Sequence, residues 1–121
     1  MWMDAVDLRE FYASPTGQVA QRIVRQPLRQ VWPDVAGKDV LGVGYTTPYL
    51  GLFRPEAART VAAMPARQGV LPWPPNEPGL TALVNESELP VSDLSMDRIL
   101  MVHAVESSEQ PRLLVAEVLR V

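Results

Sequence analysis

Cysteine is absent and histidine occurs once in the 121 residues. The first absence excludes a disulfide framework and thiolate metal sites. A single histidine leaves too few ligands for a zinc cluster. Basic residues are in the minority, 11 Lys and Arg against 14 Asp and Glu, for a net charge of −3. That balance excludes the broad basic face that binds nucleic acid. No apolar run approaches the ~18 residues of a membrane span. The first residues, Met1-Trp2-Met3-Asp4-Ala5, carry neither the basic stretch nor the apolar core of a signal peptide. The expectation is a soluble cytoplasmic protein with no nucleic-acid and no membrane partner.

What the chain does have is a globular balance, 47% hydrophobic and 21% charged residues, enough for one modest domain. It also has 12 prolines. Four of them fall in Leu71-Pro72-Trp73-Pro74-Pro75-Asn76-Glu77-Pro78-Gly79, which excludes helix and central strand there. Apolar strand-like runs resume directly after it, so the segment is a loop between elements.

Residues 4–12 form a short helical piece with Val6, Phe11 and Tyr12 as apolar members. Ser14-Pro15 is a helix start, with Ser as cap and Pro in the first turn. Val19, Ile23, Val24, Leu28 and Val31 then recur at helical spacing, with Gln18, Arg22, Arg25 and Arg29 on a solvated face. Pro27 should kink this helix, and Trp32-Pro33 ends it. Strands are expected over 39–43, 58–64, 80–84 and 98–103, with a short helix over 48–53. The last segment, 111–121, reads as an amphipathic helix with Leu114, Val115, Val118 and Leu119 inward, and Arg112, Glu117 and Arg120 outward. The fold class is α/β: a Rossmann-like, mostly parallel sheet of about four strands with flanking helices. The organisation is an N-terminal helical segment, 1–35, followed by an α/β domain, 36–121. Four strands closing on an uncapped helix suggest the front part of a longer fold, with an open sheet edge beside the fourth strand through which the chain would self-associate.

The stretch Asp39-Val40-Leu41-Gly42-Val43-Gly44-Tyr45-Thr46-Thr47-Pro48-Tyr49-Leu50 joins an apolar strand to a helix start through a glycine turn. Free N–H groups at a helix start suit a polar ligand. A nicotinamide-type fingerprint would need a third glycine, and Thr47 stands at that position. The segment Glu88-Leu89-Pro90-Val91-Ser92-Asp93-Leu94-Ser95-Met96-Asp97-Arg98-Ile99-Leu100, followed by Val102-His103-Ala104-Val105-Glu106, adds a second pattern.

Together these segments resemble the class I S-adenosylmethionine-dependent methyltransferases of the broad type 11 group, over residues 36–121. Val40–Thr46 matches the first motif of that family. Glu88–Leu100 matches its Leu-Pro-apolar segment and the Ser-apolar-Asp start of its fourth strand. The resemblance implies an enzyme that transfers a methyl group from S-adenosyl-L-methionine to a small-molecule substrate. It implies cofactor contacts at Gly42, Gly44, Tyr45 and Thr46 in the turn, Met64 on the ribose side, Asn85 and Glu86 on the adenine side, and Leu89. This sequence departs from the pattern at several of them. Gly42 stands for the family's acid, Thr46 for a glycine, and Pro48 for the next. No carboxylate lies near Met64-Pro65, where the family holds the ribose hydroxyls. Asn85 replaces the adenine-side acid. A lost charge-assisted acceptor is worth ~1.5–3 kcal/mol, or roughly 10–100-fold in affinity. The alternative expectation is therefore a methyltransferase-like binding or partner protein without tight cofactor binding.

Methyl transfer asks the protein to align the groups, exclude water and, for a hydroxyl or amine acceptor, supply a base. His103 and Glu106, past the fourth strand, are the candidates; the simpler reading of His103 is a partly buried strand-end histidine with a satisfied hydrogen bond. Tyr45 would touch the cofactor's amino-acid end or fill space beside the turn. Trp73 would cover a ligand or the core edge. Asp93 and Asp97 should cap a turn and the strand start.

Overall fold

The computed structural model describes residues 2–74 and 79–121. In chain order the elements are α1 (Ala5–Ala13), α2 (Pro15–Val31), β1 (Asp39–Gly44), α3 (Thr47–Leu50), β2 (Arg59–Pro65), β3 (Thr81–Val84), β4 (Arg98–Val102) and α4 (Pro111–Arg120). The four strands form one sheet in the order β3-β2-β1-β4, and every pairing is parallel. The fold is thus α/β with a four-stranded, all-parallel, Rossmann-like sheet flanked by helices. The centre of the expected proline loop, 75–78, lies outside the described residues.

The apolar strand runs explain the layering. A strand covered on both faces alternates its side chains between two cores. On one face Val40, Ala62 and Met64 pack with Leu8 and Tyr12 of α1, Tyr49 and Leu50 of α3, and Phe53. On the other, Leu41, Val43, Ala63 and Val84 pack with Trp2, Leu89, Leu114 of α4 and Val121. β4 feeds both cores, with Leu100 and Val102 on the first and Ile99 and Met101 on the second. All five of its residues are only half-buried, because β4 pairs on one side alone, with β1.

Two helices are turned about their axes from the expected orientation. In α2, Val19, Ile23, Val24 and Val31 are exposed, Ile23 by 67% and Val31 by 72%. Leu28 packs on the core and Gln18 and Arg22 stay exposed, as expected, but Gln21, Arg25 and Arg29 face the protein. Gln21 and Arg25 donate to the Pro48 carbonyl at 2.7 Å each, and Arg29 donates to the Leu52 carbonyl and holds Glu56 at 2.8 Å. A short α3 explains this. Helix ends leave carbonyls without partners, and the arginines of α2 supply donors there. Gly17 is the buried residue of α2. The helix runs through Pro27 to Val31.

In α4, Leu114 is buried and Val118 half-buried, but Leu119 is 76% exposed and Val115 is also exposed. Glu117 and Arg120 point inward to the segment before β4. Glu117 accepts from Leu89 N at 2.7 Å, and Arg120 donates to the carbonyls of Leu89 and Val91 and to Asp93. The Arg120 guanidinium, and then Leu89 N, hold the Glu117 carboxyl below the usual carboxylate range. Asp93 therefore pairs with Arg120 rather than capping a turn, while Asp97 accepts from Asp39 N at 2.9 Å and ties the starts of β1 and β4 together. Arg120 is the clamp of the Leu89–Asp93 segment. Arg120→Met is expected to lower the melting temperature and to raise amide exchange at Leu89 and Leu94, with exchange in β1 unchanged; hydrogen-exchange mass spectrometry reads the difference. Among the described residues no helix is long and apolar enough to cross a membrane.

Candidate functional site

Open parallel sheets present ligand sites at the carboxyl ends of their strands, above all where the strand order reverses. Here the reversal falls between β1 and β4, and side chains fill it. Gly44 ends β1 with φ +99°, and a Cβ at that position would overlap the Val102 carbonyl of β4. The close approach lets Tyr45 N donate to Val102 O at 2.9 Å. Above it, Tyr12 of α1 reaches across. Its hydroxyl lies 3.0 Å from the Tyr49 hydroxyl and 2.8 Å from His103 Nε2. Tyr45 is buried, its ring 5.9 Å from that of Tyr12. Tyr45 thus fills space under α1.

Burial, then the hydrogen bond and charge of Tyr49, push the Tyr12 hydroxyl well above its ordinary range, so it stays protonated. His103 takes the left-handed backbone with φ +53°, its carbonyl receives Gln68 Nε2 at 3.0 Å, and Nδ1 stands 3.8 Å from Glu106. Its hydrogen bond is satisfied, as the structural alternative expected. Glu106 lies in a turn. Burial pushes the His103 imidazole below its ordinary pKa, with Glu106 opposing. A folded value below the unfolded ~6.5 means the unfolded chain takes up the proton first as pH falls. The stability that neutral His103 contributes is complete above ~6.5 and lost below it. Lowering pH from ~7.5 to ~5.5 is therefore expected to depress the melting temperature, and more in wild type than in His103→Asn. Asn tolerates the left-handed backbone, and the chain has no other histidine.

The first motif differs from a ligand cradle for a defined reason. Thr46 is fully buried and packs where a side chain on Gly42 would have to go: a Cβ there would overlap Thr46 Oγ1 and lie 2.7 Å from Thr46 Cβ and 2.8 Å from Leu50 Cδ1. Thr46 Oγ1 has no hydrogen-bond partner among the described residues. Set against the resemblance, the absent acid and the absent glycine would be one exchange, since Thr46 fills the room a carboxylate at position 42 would need. The helix after the turn is only four residues long, Thr47–Leu50, and its Thr46 cap makes no side-chain bond.

A cavity of about 440 Å³ opens farther along the same sheet edge, at the ends of β2 and β3. It is lined by Pro65–Arg67 after β2, Val84–Ser87 after β3, Glu109 and Gln110 before α4, and Trp2. Arg67 and Glu109 form an ion pair. Ser108 Oγ donates to Glu86 Oε2 at 2.5 Å and accepts from Gln110 N at 3.1 Å. Asn85 Oδ1 accepts from Ser87 N at 2.9 Å and from Ser87 Oγ at 2.8 Å.

Of the residues singled out from sequence, Asn85 and Glu86 line this cavity. Gly42, Gly44, Tyr45 and Thr46 lie at the filled turn beside β4 and not in the cavity. Met64 is a core residue whose sulfur accepts from Leu71 N at 3.4 Å; Pro65, its neighbour, reaches the cavity. Leu89 is buried against α4. Trp73 packs on the core edge, with Arg54 over its ring at 5.9 Å. Trp2, Arg67 and Glu109 were not legible as site residues. Trp2 gave only the signal of an aromatic residue in a polar N-terminal stretch, and the Arg67–Glu109 pair joins residues 42 positions apart. Among the described residues no group of three or more His, Cys, Asp and Glu could hold a metal ion. No family model, curated protein or solved structure matches the chain.

Proposed function

We propose that the chain is an S-adenosylmethionine-dependent methyltransferase domain acting on a small-molecule acceptor in the cytoplasm, with the nucleoside end of the cofactor in the cavity at the ends of β2 and β3. The observation that carries this reading is the coincidence of two things at one sheet edge. The cavity lies at the carboxyl ends of parallel strands, and Asn85 and Glu86, which the resemblance puts on the adenine side, both line it. Its volume falls in the range of small-molecule pockets, about 300–1,000 Å³. The residues present fit a nucleoside: Trp2 offers an aromatic wall, Asn85 an amide and Glu86 a carboxylate.

The cofactor supplies the electrophilic methyl group, and the chain binds, orients and keeps water away. Tyr12, Tyr45 and Tyr49 close the reversal point against solvent, each being buried. His103, neutral and hydrogen-bonded to Tyr12, is the candidate proton acceptor at that end. The half-buried β4 extends the proposal to self-association through its unpaired side, which sedimentation at rising concentration tests.

One observation favours the alternative, a binding or partner protein that performs no transfer: Thr46 fills the room that an acid at position 42 would need, and Tyr12 roofs the turn. Affinity separates the two. Isothermal titration with S-adenosylmethionine and its demethylated product is expected to give saturable heat below millimolar ligand. Folded protein without saturable heat in that range overturns the enzyme reading.

A further inference from the structure

The outer face of α2 is apolar. Val19, Ile23, Val24 and Val31 are 50%, 67%, 43% and 72% exposed. Exposed aliphatic side chains scattered singly are ordinary on a protein surface, but these share one helix. Val19, Ile23, the exposed Pro27 and Val31 stand four residues apart, so they form one row along it. The inward side of the helix is already engaged. Gln21 and Arg25 donate to the Pro48 carbonyl, and Arg29 holds Glu56. Turning the helix to bury the row would break those bonds, so the row can be covered only from outside.

We propose that this face pairs with the same face of a second copy, antiparallel, about a two-fold axis at Ile23. Ile23 is the midpoint of the 17 residues Pro15–Val31, so an axis there lays the whole helix along its copy. Ile23 then meets Ile23, Val19 meets Pro27 and Thr16 meets Gln30 of the second copy. A surface that meets itself must be self-complementary. α2 contains no Asp or Glu, and the exposed Thr16, Gln26 and Gln30 beside the row each donate and accept, so each can bond its own kind. With Arg25 and Arg29 turned inward, Arg22 is the exposed cation of the helix. One such cation is too few for a helix lying on anionic lipid, which uses several. Two helices of this length, each ~25 Å, would bury on the order of 1,000 Å² in total, the lower limit of a specific interface. The contact is therefore a weak dimer. It stands independently of the methyltransferase reading and is separate from the open edge of β4.

The test is sedimentation velocity of wild type and Ile23→Arg between roughly 5 and 300 μM, the range in which an interface of this size associates. Wild type is expected to pass from monomer to dimer across it. Ile23→Arg changes an exposed position, so it should keep the melting curve of the dilute protein while weakening association at least about tenfold, because it places a charge at the centre of the contact. A second measurement fixes the register. The chain has no cysteine, so Ile23→Cys introduces a single thiol. Helix axes ~8–10 Å apart bring the two Cα atoms at the axis within disulfide reach, about 4.4–6.8 Å. Under mild oxidation Ile23→Cys is expected to form a covalent dimer at least about tenfold faster than Leu94→Cys, a thiol at a position 87% exposed outside α2. Wild type that stays monomeric throughout overturns the proposal and leaves the face to an unlike partner. Folded Ile23→Arg associating like wild type overturns it and points to β4. Equal cross-linking of the two thiols overturns the two-fold at Ile23.

Discussion

Replacing Gly42 by Asp, which restores the acid that the resemblance calls for, is expected to destabilise the protein by more than about 3 kcal/mol. The new Cβ would overlap Thr46 Oγ1 and crowd Leu50 Cδ1, both in the packed layer beneath α1. Overpacking a core costs about 1–3 kcal/mol. A carboxylate buried without a partner adds to it. Thr46→Gly alone should cost far less, since it removes a side chain whose hydroxyl has no partner among the described residues. The double variant, Gly42→Asp with Thr46→Gly, should be more stable than Gly42→Asp alone, with a coupling of about 1–3 kcal/mol in a double-mutant cycle. Urea melts of the four proteins measure it. Additive effects would contradict the claim that the two departures are one exchange of volume.

The second large effect belongs to Tyr12. Tyr12→Ala is expected to cost about 3–5 kcal/mol, the range for deleting a large aromatic side chain from a core. Tyr12 is buried, its ring packs edge-on to Tyr49 at 5.8 Å, and its hydroxyl bonds both Tyr49 and His103. Tyr12→Phe keeps the ring and removes the hydroxyl, leaving the Tyr49 hydroxyl and His103 Nε2 to find other partners. That change should cost about 1–3 kcal/mol. The two variants separate packing from polarity. Nearly equal losses would mean that the hydrogen bonds, not the ring, hold α1 to the sheet. Because Tyr12 masks His103, the Phe variant should also change how far the melting temperature falls as pH drops below ~6.5.

Element type and order were legible because the signals were local. The Ser14-Pro15 start appears as Ser14 accepting from Gly17 N, with Pro15 in the first turn. The run Arg98–Val102 is a parallel strand feeding two cores, as its continuous apolar pattern implied. The facing of α2 and α4 was not legible. Amphipathic pattern assumes that the apolar stripe meets the core. The polar side of α2 meets the four-residue α3 and the turn after it, whose Pro48 and Leu52 carbonyls attract Arg25 and Arg29 more than the small surface there attracts Val19 or Ile23. In α4 the same competition is won by Glu117 and Arg120, which satisfy the backbone of Leu89 and Val91. Short helices and irregular segments expose backbone groups that charged side chains must serve, and sequence periodicity does not record that demand.

Of the candidate cavity's lining, two neighbouring positions were legible. Asn85 and Glu86 follow directly from the end of β3, a position set by strand length. The turn residues were drawn from a motif whose glycines here serve packing: Gly44 makes room for the Val102 carbonyl and Gly42 for Thr46. Strand alternation sends the Met64 side chain into the core under α1, while Pro65 reaches the cavity. Trp2, Arg67 and Glu109 converge from three distant segments, a juxtaposition made by the sheet alone.

The central claim is that an adenine nucleoside of the cofactor type occupies the cavity between the ends of β2 and β3. The most direct test is a titration of the isotope-labelled protein with S-adenosylhomocysteine, followed by two-dimensional amide and Asn side-chain NMR. The account predicts saturable shifts in the Asn85 side-chain amide, Glu86, Arg67 and the Trp2 indole at sub-millimolar ligand, with little change in β4. Shifts confined to Gly44, Tyr45 and His103, or no saturable shift in folded protein, would contradict it.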